Sequence, residues 1–527
     1  MFELFFGYFL SLLVVVLWDY LAWWGGVWLC QASTVNVVTM GYMGLEIGCV
    51  SHNGNFYCDE IASGLIWLSG LVTSLSLVSM SGMVYQESKL FYSVVIFLFL
   101  ALGFCFSAES VLVFYVLFEV SLIPTLCLIC GWGYQPERLR AGKYMMLYTV
   151  GASLPLLGFV LFQVFNSGIL GFGLFYGSKP SEVLLNWVMF ACSLAAFLVK
   201  SPMYLVHMWL PKAHVEAPVV GSMFLAGVLL KLGGYGLLRF TMVFGLLGGV
   251  FLSFIICLCL FGGVIASIVC CSQVDAKSLV AYSSIGHMSL VLGGLMSGSF
   301  WGLGGSVLLM LAHGLSSCGL FYLVGELYKV YNSRMLFLMR GMLGDFFGIN
   351  LWLVFMCGFN AAAPPSLSLV SEVILCVCLI SYSLWFFVLV GALSFLSCLY
   401  SWFLYCNVQV GNFPLWVRSV SQANYCHVQG VVCVSLILPM VGLVFCCSIG
   451  KYLYMQVFFL YYETNFVGRS GFSVVLSSVV EMSMASSSMM VMSSKIVSFW
   501  CSQKNVMKSI GESCKGCVLM GLKVDIL

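Results

Sequence analysis

Residues 197–240 read FLVKSPMYLVHMWLPKAHVEAPVVGSMFLAGVLLKLGGYGLLRF and place an ionisable residue in each of two apolar runs. Lys200 ends the first run, directly before Ser201 and Pro202, and Lys231 lies inside the second run. A charge in mid-membrane is costly, and proline removes a backbone hydrogen bond and breaks a helix. The stretch therefore predicts a membrane helix broken beside a lysine, followed by a second helix that buries a lysine.

The whole chain shares this apolar composition. It has 527 residues, of which 62% are hydrophobic and 8% are charged. An ordinary soluble domain has about a quarter of its residues charged, so a water-soluble fold is excluded. At about 20 apolar residues per span, the charge-free stretches predict an all-α polytopic membrane protein with about 14 transmembrane helices. The net charge is only +2, and no dense basic block is present, so nucleic acid is not an expected partner.

The 24 cysteines lie mostly inside apolar runs, which indicates membrane packing. Two C-x-x-C pairs, Cys127 with Cys130 and Cys514 with Cys517, have no second ligand pair at the spacing of a zinc site. We therefore expect no metal site in this chain.

Four charged connections follow the fifth, seventh, ninth and eleventh predicted helices, so all four should lie on one face of the membrane. Their charged residues are Glu137, Arg138, Arg140 and Lys143; Lys212, His214 and Glu216; Asp275 and Lys277; and Lys329, Arg334, Arg340 and Asp345. The first and last connections are mainly basic, and the positive-inside tendency assigns this face to the cytoplasm or the matrix.

Six ionisable residues lie within apolar segments and are candidate functional residues, because such groups usually mark an ion or proton path. They are Glu119, Lys200, Lys231, His287, His313 and Glu372. Glu372 follows Pro364 and Pro365, a second predicted helix break. Buried Glu and Lys can exchange protons near neutral pH, Arg cannot, and His suits a relay between them. Two simpler interpretations stay open, namely packing histidines and proline kinks with no transport role.

No phosphate loop, nucleotide fingerprint or iron–sulfur cysteine quartet is visible, which indicates proton movement without redox chemistry on this chain. Several blocks resemble one known family, the chain 4 subunits of mitochondrial NADH:ubiquinone oxidoreductase, or respiratory complex I. These blocks are FEVSLIPTL (118–126), GYQPERLRAGKYMMLYT (133–149), the stretch 197–239, VDAKSLVAYSSIGHMSL (274–290), LMLAHGLSSCGLFYLVGELY (309–328) and PPSLSLVSE (364–372). The resemblance covers residues 85–410.

The resemblance implies an antiporter-like fold with two inverted five-helix repeats and two proline-broken helices. It divides the chain into N-terminal transmembrane helices (1–84), a first repeat (85–240), a second repeat (241–410), a last transmembrane helix (411–455) and a C-terminal extension (456–527). Residue by residue, it implies that protons pass through Glu119, Lys200, Lys231, His287, His313 and Glu372. Independently of the resemblance, Glu119 and Lys200 are each a lone charge inside an apolar helix, so we expect them to form a close, coupled pair whose separation gates the proton path.

The same resemblance implies a place in the mitochondrial inner membrane, with lipid and neighbouring antiporter-like subunits of the membrane arm as partners. NADH, FMN, iron–sulfur clusters and ubiquinone are expected in or at other subunits, and this chain should bind no cofactor. One alternative is a subunit of a multi-subunit sodium/proton antiporter, although Glu372 favours the chain 4 branch. A passive membrane scaffold is the second alternative.

Overall fold

The structure, a computed structural model, describes residues 59–79, 85–167, 183–244, 250–342 and 347–411, with Gly171 and most of 432–441. The predicted helices before residue 59 and the predicted C-terminal extension lie outside the described residues. The described part of the chain is helical, with two isolated β-bridges and no strand.

In chain order the described helices are α1 (Glu60–Ser79), α2 (Tyr85–Ser107), α3 (Val111–Val120), α4 (Leu122–Trp132), α5 (Arg138–Ser167), α6 (Val183–Lys200), α7 (Trp209–Glu216), α8 (Val219–Phe224), α9 (Leu230–Phe244), α10 (Val250–Cys271), α11 (Ala276–Ser297), α12 (Phe300–Tyr331), α13 (Phe347–Asn360), α14 (Leu367–Tyr382) and α15 (Phe386–Gln409). A five-residue π-helical turn, Leu225–Leu229, joins α8 to α9. Helices satisfy their backbone hydrogen bonds internally, as a bilayer requires.

Within these ranges, nine helical segments are long and apolar enough to cross a membrane. The prediction of an all-α polytopic membrane protein is therefore confirmed. The central segments are Val219–Thr241 and Ala276–Ser297, in each of which almost every residue of an 18-residue apolar stretch is buried. Only 33% of the residues in an 18-residue apolar stretch of α15 are buried, so this helix lies at the periphery and presents apolar side chains outward. Three of the candidate residues, Lys231, His287 and His313, thus lie on the helices that are best shielded from lipid.

Proline interrupts the helices at the two predicted places. The first broken helix comprises α6 and α7, which flank Pro202, and the second comprises α13 and α14, which flank Pro364 and Pro365. A third interruption was not predicted: α3 ends at Val120, four residues before Pro124. Proline has no N–H group to donate to the carbonyl four residues earlier, which explains this end.

The π-helical turn has a specific hydrogen-bond pattern. The N–H of Leu230 donates to the carbonyl of Leu225, where a regular α-helix would use the carbonyl of Ala226. The Ala226 carbonyl instead accepts a hydrogen bond from the ammonium group of Lys231. The turn therefore frees one backbone acceptor inside the membrane, and a lysine occupies it.

The four charged connections meet at one end of the helix bundle, as the sequence predicts. The guanidinium of Arg334 donates to Glu216 at 3.1 Å and to Gln135 at 2.7 Å, and its Nε lies 3.9 Å from Asp275. Asp275 also forms a β-bridge with Met335. We call the group Arg334, Glu216, Asp275 and Gln135 the Arg334 cluster. It ties together four connections that are far apart in the sequence.

Candidate functional site

A lysine and a histidine meet in the most buried part of the bundle. Lys231, at the start of α9, has 0% exposure, and its Nζ lies 3.0 Å from Nδ1 of His313 on α12. The freed carbonyl of Ala226 holds the ammonium from the other side. Lys231 has no carboxylate partner within 4.0 Å among the described residues. A lysine in contact with an imidazole and a carbonyl can hand its proton to the imidazole.

A second buried imidazole, that of His287, lies next to His313. The centroids of the two rings are 5.4 Å apart, and their planes are tilted by 42°. The Nε2 of His313 is buried and has no hydrogen-bond partner among the described residues. This nitrogen is therefore available to pass a proton onward.

His287, on α11, contacts a carboxylate and a phenol through its two ring nitrogens. Nδ1 lies 3.4 Å from Oε1 of Glu372 on α14. This distance is within the range of an ion pair, but the two atoms do not form a hydrogen bond. Nε2 lies 3.1 Å from the hydroxyl of Tyr400 on α15. The contacts define a line from Lys231 through His313 and His287 to Glu372, which we call the buried relay. It connects four of the six predicted site residues.

Glu119 and Lys200 lie apart from this relay, and the expectation that they form a close ion pair is wrong for this structure. The ammonium of Lys200 donates to the carbonyl of Phe118 at 3.0 Å and lies 3.2 Å from the centroid of the Phe118 ring. No ion pair joins Lys200 to Glu119 within 4.0 Å, although both residues are described. The carbonyl before Glu119 and an aromatic face hold the lysine.

The end of α6 nevertheless lies close to the helix that carries Lys231. A Cβ atom added at Gly233 would come within 2.6 Å of the backbone nitrogen of Ser201. Glycine therefore lets α9 approach the helix break that follows Lys200. This contact brings the first pair of predicted residues near the buried relay without joining them by a hydrogen bond.

Three residues of this region were not predicted as buried site residues. Tyr400 gives no signal in the sequence, because tyrosine is common in membrane helices and at their ends. His214 was assigned to a charged connection, yet it is buried, and its ring stacks on Phe321 at 4.6 Å between centroids. Lys277, assigned to another connection, is also buried and donates to the carbonyl of Ala217 at 3.1 Å. Both residues lie next to charged loops in the sequence, so the sequence did not indicate that their side chains are buried.

The described residues contain no group of three or more His, Cys, Asp or Glu side chains arranged to hold a metal ion. The buried relay uses two imidazoles, one ammonium and one carboxylate. Each of these groups can donate or accept a proton, so the chemistry that the arrangement supports is proton transfer.

Comparisons with known proteins agree with this chemistry. A family model described as "NADH:quinone oxidoreductase/Mrp antiporter, TM" matches residues 108–398. NADH-ubiquinone oxidoreductase chain 4 of Ceratitis capitata is 45% identical over 374 residues, which are 69% of this chain and 82% of the relative. The same chain of Danio rerio is 35% identical over 412 residues, covering 75% of this chain and 89% of the relative.

Solved structures share the fold. A chain of respiratory complex I from Thermus thermophilus with bound NADH has a TM-score of 0.72 at 22% identity, covering 83% of this chain and 94% of that chain. A chain of the Mrp complex from Dietzia sp. has a TM-score of 0.69 at 14% identity, covering 85% and 94%. These two likenesses show the antiporter-like fold. By its sequence identity to curated relatives and its match to the family model, the chain belongs to the NADH-ubiquinone oxidoreductase chain 4 family.

Proposed function

We propose that this chain is a proton-translocating membrane subunit of NADH:ubiquinone oxidoreductase, and that the buried relay carries the protons. The observation on which this proposal rests is the unbroken sequence of contacts from Lys231 to Glu372 across four helices. The names of the curated relatives support the assignment to that enzyme. Electrons pass from NADH to ubiquinone in other subunits, and NADH, FMN and iron–sulfur clusters belong there.

Each side chain of the relay has a distinct role. Lys231 holds a proton and gives it to Nδ1 of His313, 3.0 Å away. The two histidines carry it across the bundle, and Glu372 receives it as the last carboxylate of the line. Glu119 and Lys200 serve the first half of the pathway. The Lys200 ammonium donates to the Phe118 carbonyl until it transfers its proton.

The finer architecture also belongs to this proposal. Fourteen transmembrane helices would include eleven in the region from residue 60 to residue 409, once the broken and kinked helices are joined. Two sets of five successive helices then begin at α2 and at α10. The fourth helix of each set is a proline-broken one, α6 with α7 and α13 with α14. This agreement in position supports two five-helix repeats.

Location and partners follow from the family. We place the chain in the mitochondrial inner membrane, beside neighbouring antiporter-like subunits of the membrane arm and in contact with lipid. The outward apolar side chains of α15, among them Phe387, Val388 and Phe395, support a surface covered by lipid or a neighbouring subunit.

The substitution Glu372→Gln in the assembled complex tests this proposal. In closed membrane vesicles without sodium, we expect fewer protons pumped per NADH while the amount of complex persists, because the amide keeps the shape but cannot take the proton. Glu326→Gln is the matched control, since Glu326 is a buried carboxylate of α12 that contacts Lys329 at 2.7 Å, outside the relay.

Unchanged pumping in Glu372→Gln would contradict the proposal. Loss of the complex in Glu372→Gln alone would favour the passive scaffold instead. Pumping by the unaltered protein that required sodium would favour the sodium/proton antiporter.

A further inference from the structure

Tyr400 is a buried side chain that touches the relay from a peripheral helix. Only 1% of it is exposed, and its hydroxyl lies 3.1 Å from Nε2 of His287. The tyrosine and imidazole rings are nearly perpendicular, at 85°. The hydroxyl thus points at the edge of the imidazole, where its nitrogen carries either a proton or a lone pair.

Other hydroxyls near His287 are bound elsewhere. Ser283, Ser284 and Ser289 lie on the same helix as His287, and each donates to a carbonyl of that helix at 2.6–2.7 Å. Their positions are explained by the helix alone. The contact between Tyr400 and His287 joins residues 113 positions apart, so helix periodicity does not account for it.

We propose that Tyr400 is a positioning residue that keeps Nε2 of His287 hydrogen-bonded in both neutral tautomers, and so directs protons through His287 to Glu372. The inference rests on the proposed proton function and deepens it. A neutral imidazole has one N–H donor and one lone-pair acceptor, and a phenol can serve as partner to either.

The two tautomers match two states of Glu372. When Glu372 is ionised, its carboxylate only accepts, so Nδ1 carries the proton and the Tyr400 hydroxyl donates to Nε2. When Glu372 is protonated, its O–H can donate to Nδ1, and the N–H at Nε2 then donates to the Tyr400 oxygen. Rotation of one hydroxyl hydrogen therefore serves both states without leaving a buried nitrogen unpaired.

The transfer balances in protons. A proton from the His313 side binds at Nε2, and the hydroxyl of Tyr400 turns away to become an acceptor. The proton on Nδ1 moves to the Glu372 carboxylate. Two N–H bonds break, one on His313 and one at Nδ1 of His287, while one N–H bond forms at Nε2 of His287 and one O–H bond forms on Glu372. His287 is left neutral with its remaining proton on Nε2, donating to Tyr400.

The test is Tyr400→Phe in the assembled complex, measured in closed vesicles. We expect normal assembly and a fall of about tenfold in coupled turnover, because a buried nitrogen of His287 then lacks a partner in each tautomer. The solvent deuterium isotope effect on turnover should rise, since proton transfer through His287 becomes rate-limiting. A structural hydroxyl would not change that isotope effect.

Tyr331→Phe is the matched control. Tyr331 is fully buried, and its hydroxyl donates to the backbone carbonyl of Arg340 at 2.9 Å. Neither residue belongs to the buried relay. We expect its removal to leave turnover and the isotope effect unchanged. An unchanged isotope effect in Tyr400→Phe would overturn the inference, as would a loss of assembly in that variant beside normal assembly of Tyr331→Phe.

The two proposals can fail separately. If Glu372→Gln abolishes pumping and Tyr400→Phe changes nothing, the role of Tyr400 is wrong and the relay stands. If both variants pump normally, the relay itself is wrong. A double variant, His287→Gln with Tyr400→Phe, should be no slower than His287→Gln alone, because Tyr400 acts through His287; a further loss would overturn the inference.

Discussion

The Nζ of Lys231 lies 3.0 Å from Nδ1 of His313, a contact that spans 82 residues of sequence and joins α9 to α12. Two groups in direct contact inside a membrane should behave as one unit when either is removed.

We expect Lys231→Met and His313→Gln each to lower proton pumping severalfold, because each removes a neighbour to which the other must pass its proton. The double variant should be about as impaired as the worse single variant. Pumping measured as protons per NADH in vesicles gives the three values. If the fold-loss of pumping in the double variant equals the product of the two single fold-losses, the two residues work independently.

Lys200 and Glu119 should behave in the opposite way. Because the Lys200 ammonium is held by the Phe118 carbonyl at 3.0 Å, Glu119→Gln leaves that hydrogen bond in place. Glu119→Gln and Lys200→Met should therefore show only a weak coupling in their effects on stability, of about 1 kcal/mol or less, because no ion pair joins the two side chains. A double-mutant cycle on the thermal stability of the solubilised complex measures the coupling. A larger coupling would reveal a direct ion pair.

The Arg334 cluster should contribute to stability. Arg334→Gln removes charged hydrogen bonds to Glu216 and Gln135 and leaves the buried Glu216 carboxylate without its cation. We expect a loss of about 2 kcal/mol, seen as a lower unfolding temperature. Lys143→Gln is the control, because Lys143 is exposed and forms no ion pair within 4.0 Å among the described residues. Equal losses in the two variants would contradict a special role for Arg334.

The sidedness of the charged end is a further prediction. Since the basic connections at 132–143 and 329–345 share one face, both should be protected from added protease in intact mitochondria and cleaved once the membrane is opened. The peptides can be identified by mass spectrometry. Cleavage of either connection in intact organelles would reverse the assigned orientation.

The sequence was sufficient for much of the fold, for reasons that can be named. Charge-free apolar runs locate membrane helices because a bilayer excludes charge, and Pro202, Pro364 and Pro365 locate two breaks because proline lacks an N–H group. The common face of the charged connections followed from counting helices. The π-helical turn and the end of α3 were not predicted from the sequence, because both depend on which backbone carbonyls are left without an intrahelical hydrogen bond.

The site was harder to predict than the fold. Residue type and position singled out Lys231, His313, His287 and Glu372, but their order in space depends on how helices pack. The ion pair of Glu119 with Lys200 was wrong because charge complementarity ignores backbone carbonyls, and here Phe118 supplies both a carbonyl and an aromatic face. Tyr400 has no sequence signal at all.

The turn at Leu225–Leu229 also constrains how this protein can change in length. A residue inserted into an α-helix rotates everything after it by about 100°, and this turn already contains such an extra residue. Deleting one residue there would restore a regular helix, in which a backbone N–H occupies the carbonyl that now binds the Lys231 ammonium, while substitutions of similar size would leave that carbonyl free. This segment should therefore tolerate changes in its composition better than changes in its length.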